Sequence, residues 1–509
     1  MKTPKTYSSI PKGFGAELVT VEGDISRGLT SFNIVGLANK TIEESRERIR
    51  AAIRNSKLHF PSDRLTINLA PAGLQKTGNY LDLAIAVNIL ALTGQLLASD
   101  IAESMFVGEL ALDGRLRPVR GIINVAECAE KRGFKNLYLP TQNAAQVRFL
   151  RPKNLRIIPV SSLGELVLTL KGIVQPSPRK QPSENNVVKN TYTDSAYAFL
   201  DQIIGQEQAK RALIVALAGR HNLLLFGPPG SGKSMLAACA PRLLPPLTHQ
   251  EAVEATNLHS LTENLTTILS ERPFRAPHHS ASRSALVGSG FDSPGEISLA
   301  HTGVLYLDEL PEFHRDFLEA LRQPLESHTI SITRAKQRVS FPANFVLIAT
   351  MNPCPCGYYG DDHHQCKCNP TQRANYIRRL SGPLLDRIDM TVRMPHVDSS
   401  VLVKNTTIST REDASAKRQI EAATKRQRAR QGKQNGLLSS YETTRYCPRT
   451  KEAEQILSEA ARVKGLSARS YFKLIKVART IADLAKSDQI EANHVLEALQ
   501  YRDIGPNLE

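Results

Sequence analysis

Read for the spacing of apolar and polar positions, the chain falls into four stretches. In residues 1–172, short apolar runs (AELVTVEG, SFNIVGL, LTINLAP, NLYLP) alternate with runs of helical spacing (TIEESRERIRAAIRNS, YLDLAIAVNILALTG). Strand-like and helical runs in alternation predict an α/β unit with its own core. Residues 173–198 lose that periodicity and are rich in Pro, Ser, Asn and Lys. They read as an exposed linker, a hinge or a plain tether. Residues 199–397 begin with FLDQIIGQEQAKRALIVALAG, a polar turn ahead of an amphipathic helix. Three apolar runs follow, in NLLLF, GVLYLDEL and NFVLIATMNP, each expected to be a buried strand. ISI and RVSF flank the polar TRAKQ and predict a hairpin. Residues 398–509 hold a basic segment and then apolar residues at three-to-four spacing, which predicts a helical unit. The expected architecture is therefore multidomain α/β with a helical end.

Charge narrows the choice of partners. The 509 residues carry a formal charge of +16, and nucleic acid is the leading acidic partner, with a solvated basic surface as the plain alternative. Seven cysteines in so long a chain make no disulfide framework, so a reducing compartment is expected. MKTPKTYSSI has no signal-peptide pattern, and the apolar stretch Leu81–Leu92 contains Asp82 and Asn88. A soluble cytoplasmic protein, not a membrane one, is expected.

The candidate chemistry begins where NLLLF runs into GPPGSGKS: Gly227, Pro228, Pro229, Gly230, Ser231, Gly232, Lys233 and Ser234. A strand, a glycine-rich turn and a helix start make a phosphate cradle of backbone N–H groups. Lys233 is placed to reach the outer phosphates of ATP and Ser234 to ligate magnesium. GVLYLDEL ends its strand in Asp308, expected in the magnesium shell, and Glu309, expected to polarise the attacking water. Asn352, ending the third strand, can orient that water. Cys354, Cys356, Cys366 and Cys368 form a CxC…CxC set that suits tetrahedral zinc or stays as reduced thiols, with His363 and His364 as possible substitutes. Cys128, Cys239 and Cys447 stand apart from it.

Two segments suit nucleic-acid phosphates. Arg334, Lys336 and Arg338 cluster near the hairpin tip, where they would touch phosphates and not read bases, unless the hairpin is merely solvated. Lys417–Lys433 carries seven basic side chains and one acid, Glu421, as a phosphate-binding helix or a solvated face. His278 and His279, a polar pair in a loop, read as structural or as DNA contacts.

Resemblances add to these readings. NLAPAGLQKTGNYLDLAIAVNIL and FVGELALDGRLRPVRGIINVAECA resemble the proteolytic domain of Lon proteases, which implies a ribosomal-S5-like fold. The Lon serine and lysine positions fall on Tyr80 and Ile123, and these cannot form an activated nucleophile and its base. IIGQEQAK is similar to the adenine-side stretch of AAA+ ATPases, which makes Ile203, Ile204 and Gly205 adenine-pocket or packing residues. In that resemblance Asn352 takes the sensor-1 role. LSGPLLDRIDM resembles the arginine-finger stretch of MCM helicases and magnesium chelatases. It implies that Arg387 acts on a neighbouring subunit's site, unless it is a structural arginine paired with Asp386 or Asp389. Arg469 in SARSY matches the sensor-2 arginine of the AAA+ lid. FRAPHHSASRSALVGSG, PGEISLAHTGVLYLDELPEF, ATMNPCPCGYYGD and LSGPLLDRIDM together resemble the ComM/YifB family of magnesium-chelatase-like AAA+ ATPases. That resemblance implies a homo-hexameric, ATP- and magnesium-dependent motor on single-stranded, double-stranded or branched DNA. Such a motor promotes branch migration during natural transformation. It also implies insertions near Arg275–Glu296 and at the hairpin. The alternative is a chelatase-like motor acting on a protein or metallo-cofactor partner.

Overall fold

The computed structural model describes residues 3–36, 40–72, 80–174, 198–263, 265, 267–290, 292–334, 337–361, 364–396 and 411–502. Most of the expected linker, the junction near 397, Lys336 and His363 lie outside them.

The first unit is a seven-stranded mixed sheet. Its strands are β1 (Lys5–Lys12), β2 (Gly15–Ser26), β3 (Ser31–Val35), β4 (Arg64–Ala70), β5 (Ser104–Phe106), β8 (Asn136–Pro140) and β9 (Arg156–Val160), in the order β3-β4-β2-β1-β5-β8-β9. A short side hairpin holds β6 (Glu109–Leu110) and β7 (Leu116–Arg117). β1 went unread as a strand because Thr6, Ser8 and Ser9 interrupt its apolar pattern; all three are buried. Thr6 Oγ1 donates to the Ala84 carbonyl at 2.8 Å, so burying that hydroxyl leaves no unmet hydrogen bond. The helix Asp82–Leu92 lies in the core with nearly every side chain buried.

The second unit is an all-parallel five-stranded sheet of β10 (Leu223–Phe226), β11 (Phe274–Arg275), β12 (Val304–Leu307), β15 (Val346–Met351) and β16 (Met390–Arg393), in the order β11-β12-β15-β10-β16. β10, β12 and β15 are buried along their whole length, as continuous apolar runs in a parallel sheet should be. Alternate residues serve opposite faces. Leu223 and Leu225 join one cluster with Leu474, Ile475 and Ile481 of the C-terminal helices. Leu224 and Phe226 join another with Phe313, Phe317 and Phe341. The helices Arg411–Gln431, Lys451–Val463, Ala468–Leu484 and Ala492–Gln500 thus share a core with the sheet.

The hairpin forms from β13 (Thr329–Arg334) and β14 (Gln337–Pro342), with Arg334 opposite Gln337. The two strands thus reach further into TRAKQ than expected, as far as Arg334 and Gln337. Midway along, the hairpin is braced by the β1–β2 turn: Gly13 has φ +62°, and a Cβ there would stand 2.2 Å from Val339 Cγ1. The first unit also docks on the helix His249–Thr262. Gly121 N–H donates to the Ser260 carbonyl at 3.0 Å, and His249 stacks on Phe149 at 4.6 Å. Among the described residues no helix is long and apolar enough to cross a membrane.

Candidate nucleotide site

The phosphate-loop candidate lies at the carboxyl edge of the parallel sheet, directly after β10. Gly227 is required by space, since a Cβ there would sit 2.1 Å from the Met394 carbonyl oxygen. Gly230 and Gly232 have φ +80° and +89°, the left-handed region that side chains disfavour. The helix starts at Lys233 and ends at Ala238. Lys233 Nζ donates to the Gly227 and Pro228 carbonyls, each at 2.8 Å. Burial lowers its ammonium to about 8, against the opposing pull of Asp308 and Glu309.

The two carboxylates come from the end of β12. Ser234 Oγ donates to Asp308 Oδ2 at 3.2 Å, which puts the two expected magnesium ligands side by side. Thr350 was not foreseen. Its hydroxyl donates to Asp308 Oδ1 and accepts from the Glu309 backbone N–H at 3.1 Å, tying the carboxylate pair to β15. The only signal in the sequence was a single hydroxyl within an otherwise apolar strand. Glu309 has φ +53° and a half-exposed side chain, with His279 Nδ1 at 3.9 Å from Oε2. Asn352 follows Met351, whose carbonyl accepts from Gly227 N–H at 3.3 Å. Lys233, Ser234, Asp308, Glu309 and Asn352 therefore meet at one sheet edge. Of the adenine-side candidates, Ile203 is buried and Gly205 has φ +67°. Their neighbour Gln206 donates to the carbonyls of Ser231 (3.3 Å) and Pro395 (2.7 Å), so this segment touches the loop.

The two candidate arginines lie elsewhere. Arg387 pairs with Glu326 at 2.7 Å, and Arg469 pairs with the other oxygen of the same carboxylate at 2.7 Å. Hydrogen bonds from Arg387 and Arg469 hold the Glu326 carboxyl below its usual range despite partial burial. Asp389, one of the partners considered for Arg387, instead pairs with Lys473 at 3.0 Å. Asn222, just before β10, donates to the Arg387 carbonyl at 3.0 Å, which places this cluster at the amino edge of the sheet. The four residues of β10, about 13 Å at 3.3 Å per residue, separate it from the phosphate loop.

The four paired cysteines come together, with all four sulfurs within 4.8 Å of one another. The sulfurs of Cys354, Cys356 and Cys366 stand 3.3, 3.7 and 3.6 Å apart. A tetrahedron with zinc–sulfur bonds of about 2.3 Å has edges of about 3.8 Å, so the donor set fits zinc. Burial pushes the Cys356 thiol up, but N–H groups of Tyr358 and Lys367 and the neighbouring thiols bring it down to about 6. A lowered thiol is suited to metal binding. His364 instead stacks beside Tyr358 at 4.8 Å. The cysteine loop also touches the phosphate loop, because Gly357 packs against Pro229.

Comparison with known proteins identifies the lineage. Family models described as "Magnesium chelatase, subunit ChlI", "Subunit ChlI of Mg-chelatase" and "Magnesium chelatase, subunit ChlI C-terminal" match residues 199–402, 21–143 and 411–502. The chain is 43% identical over 502 residues to competence protein ComM of Haemophilus influenzae, covering 97% of this chain and 96% of that one. It is 43% identical over 496 residues to YifB of Salmonella typhimurium, covering 97% and 95%. The chain belongs to the ComM/YifB family. A Lon protease of Rhizobium meliloti is 26% identical over 185 residues, 33% of this chain and 22% of that protein.

In this ComM/YifB member the Lon-like positions are packing residues. Ile123 is fully buried, and Tyr80 packs against the cluster that holds it. Of the hairpin cations, Arg338 Nη2 donates to Ser331 at 3.1 Å on the exposed face. The basic helix is less available than its sequence suggested. Arg426 pairs with Asp488, Arg428 with Glu251, Arg430 with Asp483 and Lys433 with Glu442. Lys417, Arg418 and Lys425 are exposed. The Arg275–Glu296 insertion is closed at its base by a bidentate ion pair at 2.6 and 2.7 Å.

Proposed function

We propose that this protein is an ATP-driven motor that assembles into a hexameric ring on DNA and promotes branch migration of recombination intermediates, as in natural transformation. One observation carries the ring. The phosphate-loop half and the Arg387–Arg469 half lie at opposite edges of one sheet. A complete site then needs the arginine half of the next subunit. In that site Lys233 and the loop N–H groups hold the phosphates, and Ser234 and Asp308 hold magnesium. Glu309 polarises the attacking water and Asn352 orients it. Magnesium, when bound, offsets phosphate charge. Arg387 and Arg469 of the neighbour steady the charge that develops on the outer phosphate. The Cys354, Cys356, Cys366 and Cys368 set holds zinc as a structural brace under Pro229.

DNA contact is assigned to the hairpin residues Arg334, Lys336 and Arg338, which suits backbone binding without base readout. The name of the Haemophilus relative, a competence protein, favours this reading over a chelatase-like motor. The test replaces all three by Ala. The slope of log affinity against log salt should fall by about 3, and branch migration of a three-stranded substrate should stop while basal ATP hydrolysis persists. Unchanged DNA binding and strand exchange would remove the hairpin from the DNA path and favour a protein or metallo-cofactor partner.

A further inference from the structure

Half of the chain's excess positive charge lies in the first unit, which has no part in ATP hydrolysis. Residues 1–172 hold 23 Lys and Arg against 15 Asp and Glu, which is 8 of the net +16. Much of that excess gathers at one end of the seven-stranded sheet. β1, β5, β8 and β9 run parallel to one another, and their register sets Lys5, Lys135 and Arg156 within one residue of the same level at the amino ends. The helix Ile122–Lys131 leads into β8 and the helix Ala144–Leu150 into β9 at that same end. They bring Lys131, Arg132, Arg151 and Lys153 beside the row. All seven cations are exposed.

Three of the seven are matched: Lys5 pairs with Glu22 at 2.7 Å, Lys131 with Glu127 at 3.1 Å and Lys135 with Glu103 at 2.8 Å. Arg132, Arg151, Lys153 and Arg156 form no ion pair with a carboxylate among the described residues. The remaining acid, Glu130, is held by backbone, since its Oε1 accepts from the N–H groups of Lys153 and Asn154 at 2.6 and 3.3 Å. This end therefore keeps a surplus of three positive charges. Its two aromatic rings, Tyr7 and Phe134, pack on each other at 5.3 Å and are half-buried. Neither stands open as a platform for an unstacked base.

We propose that this basic end of the first unit grips the phosphate backbone of double-helical DNA. The proposal rests on the reading of the protein as a DNA motor and adds a second contact, apart from the hairpin. Guanidinium forks match phosphate oxygens in geometry, and the lysine ammonium matches them in charge. Cations without an open aromatic ring suit a stacked duplex better than a single strand, whose bases need a surface to stack on. The fold also sets the two contacts apart. The far end of β1 meets the hairpin, where Gly13 packs on Val339. The eight residues of β1 place the basic end about 23 Å from there, at 3.3 Å per residue. That is roughly seven base-pair steps at 3.4 Å each. A duplex arm can thus be held by the first unit while the hairpin works on the same molecule.

The test replaces Arg132, Arg151, Lys153 and Arg156 together by Gln in the full chain. Binding of a labelled 40-base-pair duplex, and of a single strand of the same length, is measured by anisotropy over a series of salt concentrations. The slope of log affinity against log salt should fall by about 3–4 for the duplex and change little for the single strand, with basal ATP hydrolysis kept. Combined with the hairpin substitutions, the losses in duplex slope should add, as expected of separate contacts. On the unmutated chain, the duplex should slow amine labelling of Lys153 and the single strand should not, a reading that needs no variant to fold. If the unmutated chain binds the duplex and the fourfold variant keeps its slope, this surface alone is overturned and the motor reading stands. Equal protection of Lys153 by the single strand, or by polyglutamate at the same salt, overturns the duplex assignment. An unmutated chain that binds neither DNA overturns the motor reading, and this surface with it.

Discussion

Replacing Gly357 by Ala asks whether the cysteine loop supports the phosphate loop. An added Cβ would stand 2.7 Å from Pro229 Cδ and 3.2 Å from Pro229 Cγ. Carbon atoms in contact sit about 3.5–4.0 Å apart, so Pro229 has to retreat by roughly 1 Å. The proline ring is tied to its own backbone, so the shift carries the loop amides with it. A misplacement of about 1 Å among aligned groups costs up to ~100-fold, and with partial relaxation ATP affinity should fall roughly tenfold. Gly357 also has φ +88°, where a side chain adds about 1–2 kcal/mol of strain. Gly360→Ala separates the two effects. Its φ is +73°, and its Cβ would meet only the flexible end of Arg393, at 3.3 Å. That variant should lose comparable stability and keep its ATP affinity. Titration with a fluorescent ATP analogue reads the affinity, and elemental analysis should find about one zinc per chain in both variants. Equal ATP affinities in the two, with zinc retained, would refute the brace.

Glu309→Gln should bind ATP but turn over about 100-fold or more slowly, because only the water-polarising carboxylate is lost; near-normal turnover would remove Glu309 from that role. Arg387→Ala should be nearly as slow, yet mixing the two inactive variants should restore up to about a quarter of wild-type hydrolysis, since an Arg387→Ala subunit can borrow the arginine of a Glu309→Gln neighbour. A mixture as inactive as its parts argues for action within one subunit. Elsewhere, Asp82 is buried beside Arg48 at 3.2 Å, and burial raises its carboxyl to about 6 in spite of that partner. Its folded value lies above its unfolded one, so the stability it contributes is full below about pH 4 and lost as pH rises through 6, on the order of a few kcal/mol. Urea unfolding across that window should show the slope, and Asp82→Asn should flatten it; an unchanged slope would assign it to other groups.

What the sequence determined by itself was local. A run of buried apolar residues, a glycine whose turn needs positive φ, and two carboxylates at a strand end are requirements met within a few consecutive residues. Gly230, Gly232, Asp308 and Glu309 were legible for that reason, as were the three central strands. What the tertiary structure decided was pairing between segments distant in the chain. Arg387 and Arg469 share Glu326, which carries no motif of its own. Thr350 holds Asp308 from the adjacent strand, and Gly357 rests on Pro229. Four of the seven cations in Lys417–Lys433 are neutralised by acids on other elements, so a count of charge along the chain overstated what is free to meet phosphate. β1 escaped notice because its buried hydroxyls look like surface until a helix carbonyl such as that of Ala84 is in place. Periodicity and backbone demands are written residue by residue, whereas the partner of a charge or hydroxyl is set only when packing brings two surfaces together.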